Sequence, residues 1–152
     1  MNGERADNQY LTFVIDGETY AVPVGKVREV LEYIKPSKLP NTDDFLKGLI
    51  NVRGTGIPLV DLRRKFGMGE IPVSKDTAII VMEILAADGD QRIIGAIADE
   101  VHEVIEMDEA ELEGPPRFGT AVDAEFVRSV GKRDGRFVFV LDIDGIFSDA
   151  SA

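Results

Sequence analysis

The sequence predicts an all-β fold in which two small five-stranded β-barrel subdomains share a core and are accompanied by short helices. Three observations lead to this prediction. Short segments alternate apolar and polar residues, Asp-Gly turn dipeptides separate several of them, and one pair of motifs occurs twice in the same order. A chain of 152 residues is long enough to bury such a core without disulfides or a structural metal.

The first predicted hairpin lies near the N-terminus. Leu11, Phe13 and Ile15 recur at every second position, which is typical of a strand with one buried face. Asp16-Gly17 is a hairpin turn dipeptide, and residues 20–24 form the return strand. The apolar residues between 24 and 34 fit either a helix or a helical turn followed by a strand, because their spacing does not separate the two structures.

Three further hairpins are predicted along the chain. Their turns contain Gly54, Gly89 and Asp134-Gly135, where glycine adopts a positive φ at little steric cost. The paired strands are 49–53 with 57–62, 77–85 with 92–98, and 126–133 with 136–142.

Helical segments are predicted to be short. Residues 42–44 are a candidate cap for a helical turn through Leu46. Residues 61–66 form a second such segment, which ends at Gly67. A third is expected over 144–150, and prolines at 36, 40, 72, 115 and 116 interrupt regular structure.

An internal repeat divides the chain. Residues 27–32 resemble 101–106, with four identical positions of six, and residues 57–62 resemble 138–143. The offset is 74 residues for the first motif and 81 for the second. Chance similarity of Val/Glu strings is the alternative, and the matching order of two motifs favours a true repeat. The halves, roughly 10–67 and 77–147, would each form five strands that close into a barrel to protect their edges.

Composition and charge exclude several classes of function. Seventeen Lys and Arg stand against 28 Asp and Glu, which gives a net charge of −11 and disfavours binding to nucleic acid or anionic membranes. The absence of Cys excludes disulfides, thiolate metal sites and Cys nucleophiles. No apolar run reaches the length of a membrane span, and the first nine residues lack a signal-peptide pattern, so a cytoplasmic protein is expected.

Catalytic motifs are missing. His102 is the single histidine, and its place in the repeated motif favours an exposed strand or helix position. His102 and Glu106 have a spacing that could bind zinc on a helix, but no further ligand accompanies them. The glycine-rich segments lack the complete phosphate-binding and dinucleotide-binding patterns. The sequence therefore predicts no catalytic residue, no metal and no cofactor.

One motif is specific enough to suggest a family. Asn51-x-Arg53-Gly54, followed by Ile57-Pro58-x-Val60-Asp61-Leu62, resembles the CheW family of bacterial chemotaxis coupling (adaptor) proteins. The likeness extends over residues 8–147 and implies a single CheW-like domain. It also implies two SH3-like five-stranded barrels and an adaptor that is not an enzyme.

The resemblance further implies partners and binding residues. Members of the family join the regulatory domain of a CheA-type histidine kinase to the helical cytoplasmic tip of methyl-accepting chemotaxis receptors. A member would be recruited to membrane receptor arrays through these partners, without inserting into the membrane. Positions matching the family's receptor site, in the groove between subdomains, are Val27, Glu29, Gly48, Arg53 and Gly54. Positions linked to kinase binding are Gly95 and Val104.

Structural explanations compete with these assignments. Val27 is equally expected as a core residue, Gly48 and Gly95 as positions that need a glycine backbone, and Arg53 as half of a structural salt bridge. A regulator that binds a small molecule in the groove between the barrels is the alternative function. An aromatic content of 7% and the absence of Trp argue mildly against it.

Overall fold

The computed structural model describes residues 8–70, 72–114 and 126–147, and these ranges contain ten strands and two single-turn helices. The strands are β1 (Gln9–Ile15), β2 (Glu18–Pro23), β3 (Val27–Glu32), β4 (Leu46–Val52), β5 (Thr55–Asp61), β6 (Ala78–Leu85), β7 (Gln91–Ala98), β8 (Glu100–Glu106), β9 (Val127–Arg133) and β10 (Arg136–Leu141). The helices are α1 (Leu62–Lys65) and α2 (Ile143–Ile146), and 3₁₀ turns cover Val24–Lys26 and Glu109–Glu111. The predicted all-β class is confirmed.

The strands form two five-stranded sheets. The first sheet has the order β8-β1-β2-β10-β9, and the second has the order β3-β6-β7-β5-β4. The halves 10–67 and 77–147 contribute five strands each, yet neither half forms a sheet alone. Each sheet combines a hairpin of one half with three strands of the other, and the two orders correspond strand for strand. The internal repeat is therefore present in the topology as well as in the sequence.

Parallel pairing produces this exchange. Val140 in β10 lies opposite Ala21 in β2, and Leu59 in β5 lies opposite Gly95 in β7. All other strand pairs are antiparallel. Parallel pairs join segments that are distant in the chain. The turn dipeptide that forms a hairpin therefore does not indicate which of the two sheets the hairpin joins.

The sheets are not closed into barrels, which corrects the closure expected from the sequence. The edge strands of each sheet are connected by a single bridge through the chain that follows β3 or β8. The Ser37 and Leu49 backbones exchange two hydrogen bonds of 2.9 and 2.8 Å, and Glu113 and Val130 exchange two of 2.9 Å. One bridge at each open side satisfies few of the edge groups, and the rest of each edge stays open.

Three apolar clusters fill the structure, and the largest is the predicted shared core. In β6, Ile80 and Met82 face this shared core, whereas Ile79 and Val81 face a second cluster on the other side of the strand. The second-sheet cluster consists of Ile50, Val52, Ile57, Leu59, Ile79, Val81 and Ile97. The first-sheet cluster consists of Tyr10, Ala21, Met107, Val138 and Val140. Each sheet thus carries buried apolar side chains on both faces.

The single-turn helices begin at equivalent caps. The Asp61 carboxylate accepts the backbone N–H of Arg63 at 3.0 Å in α1, and Asp142 accepts that of Gly145 at 3.1 Å in α2. The helix α1 is shorter than the predicted segment 61–66. The part of the predicted C-terminal helix after 147 lies outside the described residues, as do the prolines at 115 and 116.

Two other predictions are decided by the structure. No helix forms over 42–46. Leu46 is instead the first residue of β4, and its backbone N–H donates to the Asp43 carbonyl at 3.0 Å, which closes a turn just before the strand. The region from Val24 is a 3₁₀ turn followed by a strand. Within the described part of the chain, no helix has the length and hydrophobicity needed to span a bilayer.

Candidate functional site

Arg53 occupies a turn position that the backbone does not favour for arginine. The β4–β5 loop consists of Arg53 at φ 50° and Gly54 at φ 87°, the two-residue geometry of a type I′ hairpin. Asn, Asp and Gly adopt positive φ most readily. The loop is stabilised by Asn51, whose side-chain oxygen accepts the N–H of Gly54 at 2.8 Å. This contact accounts for the Asn of the Asn-x-Arg-Gly motif, and the positive φ at residue 54 accounts for the Gly. Neither explains the Arg.

The Arg53 side chain pairs with Glu29. Its Nη1 donates to Glu29 Oε1 at 3.1 Å, and its Nη2 donates to Glu29 Oε2. Such two-pronged contacts are the strong form of the arginine–carboxylate bond. Hydrogen bonding by Arg53 lowers the pKa of Glu29, and Glu29 raises the pKa of Arg53. Arg53 remains 71% exposed and Glu29 28% exposed, so the guanidinium is oriented and still faces solvent.

This contact, the edge pair, joins opposite edges of the second sheet. Glu29 lies in β3 and Arg53 follows β4, and these strands are the two edges of the sheet. Leu31 and Val52, on the same two strands, both pack in the second-sheet cluster. The edge pair therefore connects the two sides of the open sheet beside its apolar interior.

A bulge in β3 separates the orientations of Val27 and Glu29. Val27 lies opposite Met82 and Glu29 lies opposite Val81, which leaves one extra residue, Arg28, on β3. Val27 consequently packs against the shared core, whereas Glu29 follows the face of Val81 and reaches Arg53. Val27 is half-buried, which fits its interpretation as a core residue and leaves part of it accessible.

The predicted receptor-binding residues fall into two groups. Glu29, Arg53 and Gly54 come together at the edge pair, and Val27 lies two residues away on β3. Gly48 is buried at φ 140°, and a Cβ there would lie 2.1 Å from the carbonyl oxygen of Ser37. No side chain fits at Gly48, so it has a backbone role whatever its part in binding.

The predicted kinase-binding residues lie in different sheets. Gly95 is buried in β7, where a Cβ would lie 2.9 Å from Cγ2 of Ile79 and 3.4 Å from Cδ1 of Leu59. It allows close packing in the second-sheet cluster. Val104 lies on the edge strand β8 of the first sheet and is 53% exposed. Val104 can contact a partner directly, and Gly95 can act only through the packing around it.

Sequence reasoning missed Val30 and Asn51. Val30 is 44% exposed on the edge strand β3, and the repeat aligns it with Val104, 74 residues later. That alignment is the signal that identifies Val30 as a candidate binding residue, because Val104 is already one. Asn51 belongs to the family motif. Its position two residues before the predicted turn is the signal that indicates its turn-stabilising role.

A cavity of about 880 Å³ lies away from the edge pair. Its apolar walls include Tyr10, Met107 and Val140, and Lys26 and Arg128 are among its charged residues. None of the seven predicted site residues lines it. Among the described residues, no three His, Cys, Asp or Glu side chains are grouped to hold a metal ion. His102 is exposed, with Nε2 3.3 Å from Glu100 Oε1.

Comparisons with known proteins agree with this geometry. The family model described as CheW-like domain matches residues 9–151. The chemotaxis protein CheW of Klebsiella aerogenes is 29% identical over 148 residues, which covers 97% of this chain and 86% of the relative. That of Thermotoga maritima is 30% identical, with coverages of 93% and 88%. The crystal structure of the scaffolding protein TtCheW from Thermoanaerobacter tengcongensis superposes with a TM-score of 0.83, at 35% identity and 96% of each chain.

Proposed function

Because the chain belongs to the CheW family of non-catalytic chemotaxis scaffold proteins, we propose that it couples methyl-accepting receptors to a CheA-type histidine kinase. One surface binds the helical cytoplasmic tip of the receptor, and another binds the regulatory domain of the kinase. The protein acts in the cytoplasm and reaches membrane receptor arrays through these partners.

The observation that carries the receptor site is Arg53, an exposed arginine at a turn position suited to Asp or Asn. Glu29 holds the guanidinium in one orientation, which reduces the entropy that a partner must remove on binding. An arginine has five N–H donors, and the edge pair uses two of them. The remaining donors are available to a carboxylate on a receptor helix, while Val27 and Val30 supply apolar contact beside it.

The kinase site is proposed around Val104. An exposed valine on an edge strand offers both a side chain and unpaired backbone groups to a partner. Gly95 contributes indirectly, because a larger residue there would displace Ile79 and Leu59 and so deform the second sheet. The exposed residues proposed for direct contact, Arg53 and Val104, belong to different sheets, which fits a protein that binds two partners at once.

The test is Arg53→Glu, with Arg136→Glu as the matched control. Arg136 is an exposed arginine at the start of β10, in the hairpin that corresponds to β4–β5 in the other half. The control therefore makes the same charge change. We expect receptor-tip affinity of Arg53→Glu to fall roughly thirtyfold, as for a central interface arginine. Kinase affinity and the urea midpoint should change little, and the control should leave all three unchanged.

A further variant, Arg53→Gln, separates the lost contact from repulsion between a new carboxylate and Glu29. It should weaken receptor binding almost as much as Arg53→Glu. Equal weakening toward receptor and kinase, or a large loss of stability, would show that Arg53 holds the fold and that the receptor site lies elsewhere.

The cavity supports the second candidate function, a small-molecule regulator. A volume of about 880 Å³ is within the range of ligand sites, which is about 300–1,000 Å³. A thermal-shift screen against metabolites distinguishes the two functions, because a ligand that binds only the folded protein raises its melting temperature. A saturable shift that is lost when Ser129→Tyr fills the cavity would favour the regulator.

A further inference from the structure

Asp144 joins two strands where their pairing begins. Its Oδ2 accepts a hydrogen bond from Lys26 Nζ at 2.7 Å, and its Oδ1 accepts the backbone N–H of Leu85 at 2.8 Å. Lys26 immediately precedes β3, and Leu85 is the last residue of β6, the partner of β3. One carboxylate in α2, which follows the first sheet, therefore holds the ends of two neighbouring strands of the second sheet.

The held end lies next to the bulge that orients Glu29. The bulge residue Arg28 is itself bound to β6, because its Nη2 donates to Glu83 Oε2 at 2.6 Å. In a strand, a shift of one residue turns each side chain to the opposite face. If the extra residue moved along β3, Glu29 would leave the face of Val81 and lose Arg53. The register at the start of β3 therefore decides whether the edge pair forms.

We propose that Asp144 is a positioning residue for the receptor site: by holding Lys26 and Leu85 it fixes the register of β3, so that Glu29 meets Arg53. Asp144 is not itself a contact for the receptor. The part of this proposal that concerns receptor affinity rests on the proposed function, whereas the part that concerns the edge pair does not.

The internal repeat supplies a matched control at Asp99. Asp99 Oδ2 accepts the backbone N–H of Asp16 at 2.9 Å and lies 3.6 Å from Nη2 of Arg63. Arg63 occupies in α1 the position of Asp144 in α2, 81 residues earlier. The two clusters thus place an ion pair between a helix and the residue near the start of an edge strand, with the charges exchanged. The helix carries the cation, Arg63, in the first and the carboxylate, Asp144, in the second. Asp99→Asn and Asp144→Asn each remove one carboxylate charge from an ion pair, although Arg63 keeps its 3.0 Å bond to Asp16 Oδ1 in the first variant. Only Asp144 adjoins β3.

The experiment measures the edge pair directly. The pKa of the Glu29 carboxyl is followed by NMR titration in the full chain, in Asp144→Asn and in Asp99→Asn, together with receptor-tip affinity and the urea midpoint. We expect Asp144→Asn to raise the pKa of Glu29 toward its ordinary value and to weaken receptor binding about fivefold, a typical size for an indirect effect. Asp99→Asn, which makes the same change of charge, should leave both unchanged.

Lys26→Met is a milder second variant, because it removes the ion pair and leaves the Asp144 carboxylate, with its full charge, bonded to the Leu85 N–H. It should move the pKa of Glu29 in the same direction by less. An unchanged Glu29 in both variants, or an equal change in Asp99→Asn, overturns the inference, since a merely structural role would affect both clusters alike. If Arg53→Glu binds the receptor tip normally, the proposed function fails, while the titration of Glu29 still decides the role of Asp144.

Discussion

The edge strands β3 and β8 share four of six residues in the repeat, occupy corresponding edges of the two sheets and carry their bulges at matching places. Their surroundings differ. Glu29 of β3 meets Arg53, whereas the repeat places Glu103 and Asp134 at the corresponding positions, and two acidic side chains form no ion pair. The shared residues thus specify a common backbone, and the departures from the repeat create the candidate receptor site.

The two bulges are also stabilised by different chemistry. In β8, the Thr12 hydroxyl accepts the N–H of Glu103 at 3.1 Å and donates to its carbonyl at 2.7 Å. In β3, the contact is the Arg28–Glu83 ion pair on the surface. A buried hydroxyl bonded to backbone resists solvent, while exposed ion pairs contribute little. The bulge at the receptor site is therefore the more easily altered of the two.

The largest expected effect comes from separating the two halves. Fragments 1–70 and 71–152 each contain five strands, but each lacks the partners of its exchanged hairpin. We expect either fragment alone to give a poorly dispersed amide NMR spectrum, and a mixture of the two to recover dispersion. A well-dispersed spectrum from one fragment alone would mean that a half folds without the exchange.

The next largest effect is expected at Gly48, whose equivalent position in the second half of the repeat is a serine. Ser129 lies 81 residues after Gly48, and a Cβ at Gly48 would meet the Ser37 carbonyl. Gly48→Ser should therefore destabilise the protein by about 3 kcal/mol or more. Ser129→Gly should cost about 1 kcal/mol or less. Urea denaturation compares the two directly, and equal losses would show that the two positions are not distinguished by packing.

A smaller effect is expected at the cap of α1. Burial raises the pKa of Asp61, which is 1% exposed and has no partner for Oδ2. The folded state therefore binds the Asp61 proton more tightly than the unfolded state does. The contribution of Asp61 to the free energy of unfolding is largest below its unfolded pKa of about 3.9, and it is lost as pH rises through the folded pKa. Asp61→Asn keeps an acceptor for the Arg63 N–H and does not ionise.

We therefore expect the stability of Asp61→Asn relative to the wild type to increase as pH rises from about 4 to 7. Urea unfolding across that range measures the difference. Asp61→Ala, which also loses the cap, should lie about 1 kcal/mol lower at every pH. A relative stability that falls with rising pH would contradict the burial effect.

The smallest expected effect tests whether the edge pair can be built into the other half. Asp134→Arg places an arginine at the turn that corresponds to Arg53, and the repeat predicts that it reaches Glu103. The side-chain carboxyl signal of Glu103, followed by NMR, should change with the new contact, with little change in the urea midpoint because the pair is exposed. Asp134→Asn is the control, since it suits the turn and adds no cation. An unchanged Glu103 in Asp134→Arg would show that the two open sides differ in shape.

Some features of the site were accessible from the sequence and others were not. The motif selected Arg53 and Gly54, and the repeat selected β3 and β8 as related strands. The contact between Glu29 and Arg53 was present only as one of several possible salt bridges, because 28 acidic residues offer many partners. Gly95 was selected as a contact residue, but its burial against Ile79 depends on the strand order of the second sheet.

The sequence by itself determined the local elements: the Asp-Gly hairpins, the short capped helices and the two related halves. The hairpins and helices depend on residues a few positions apart, through turn geometry and alternation along one strand, and the two halves are visible as repeated motifs. The tertiary structure alone decided which hairpin joins which sheet, that neither sheet closes, and that Glu29 faces Arg53. Those outcomes depend on parallel pairing between residues as distant as Ala21 and Val140 and on a one-residue bulge, and no local pattern records either of them.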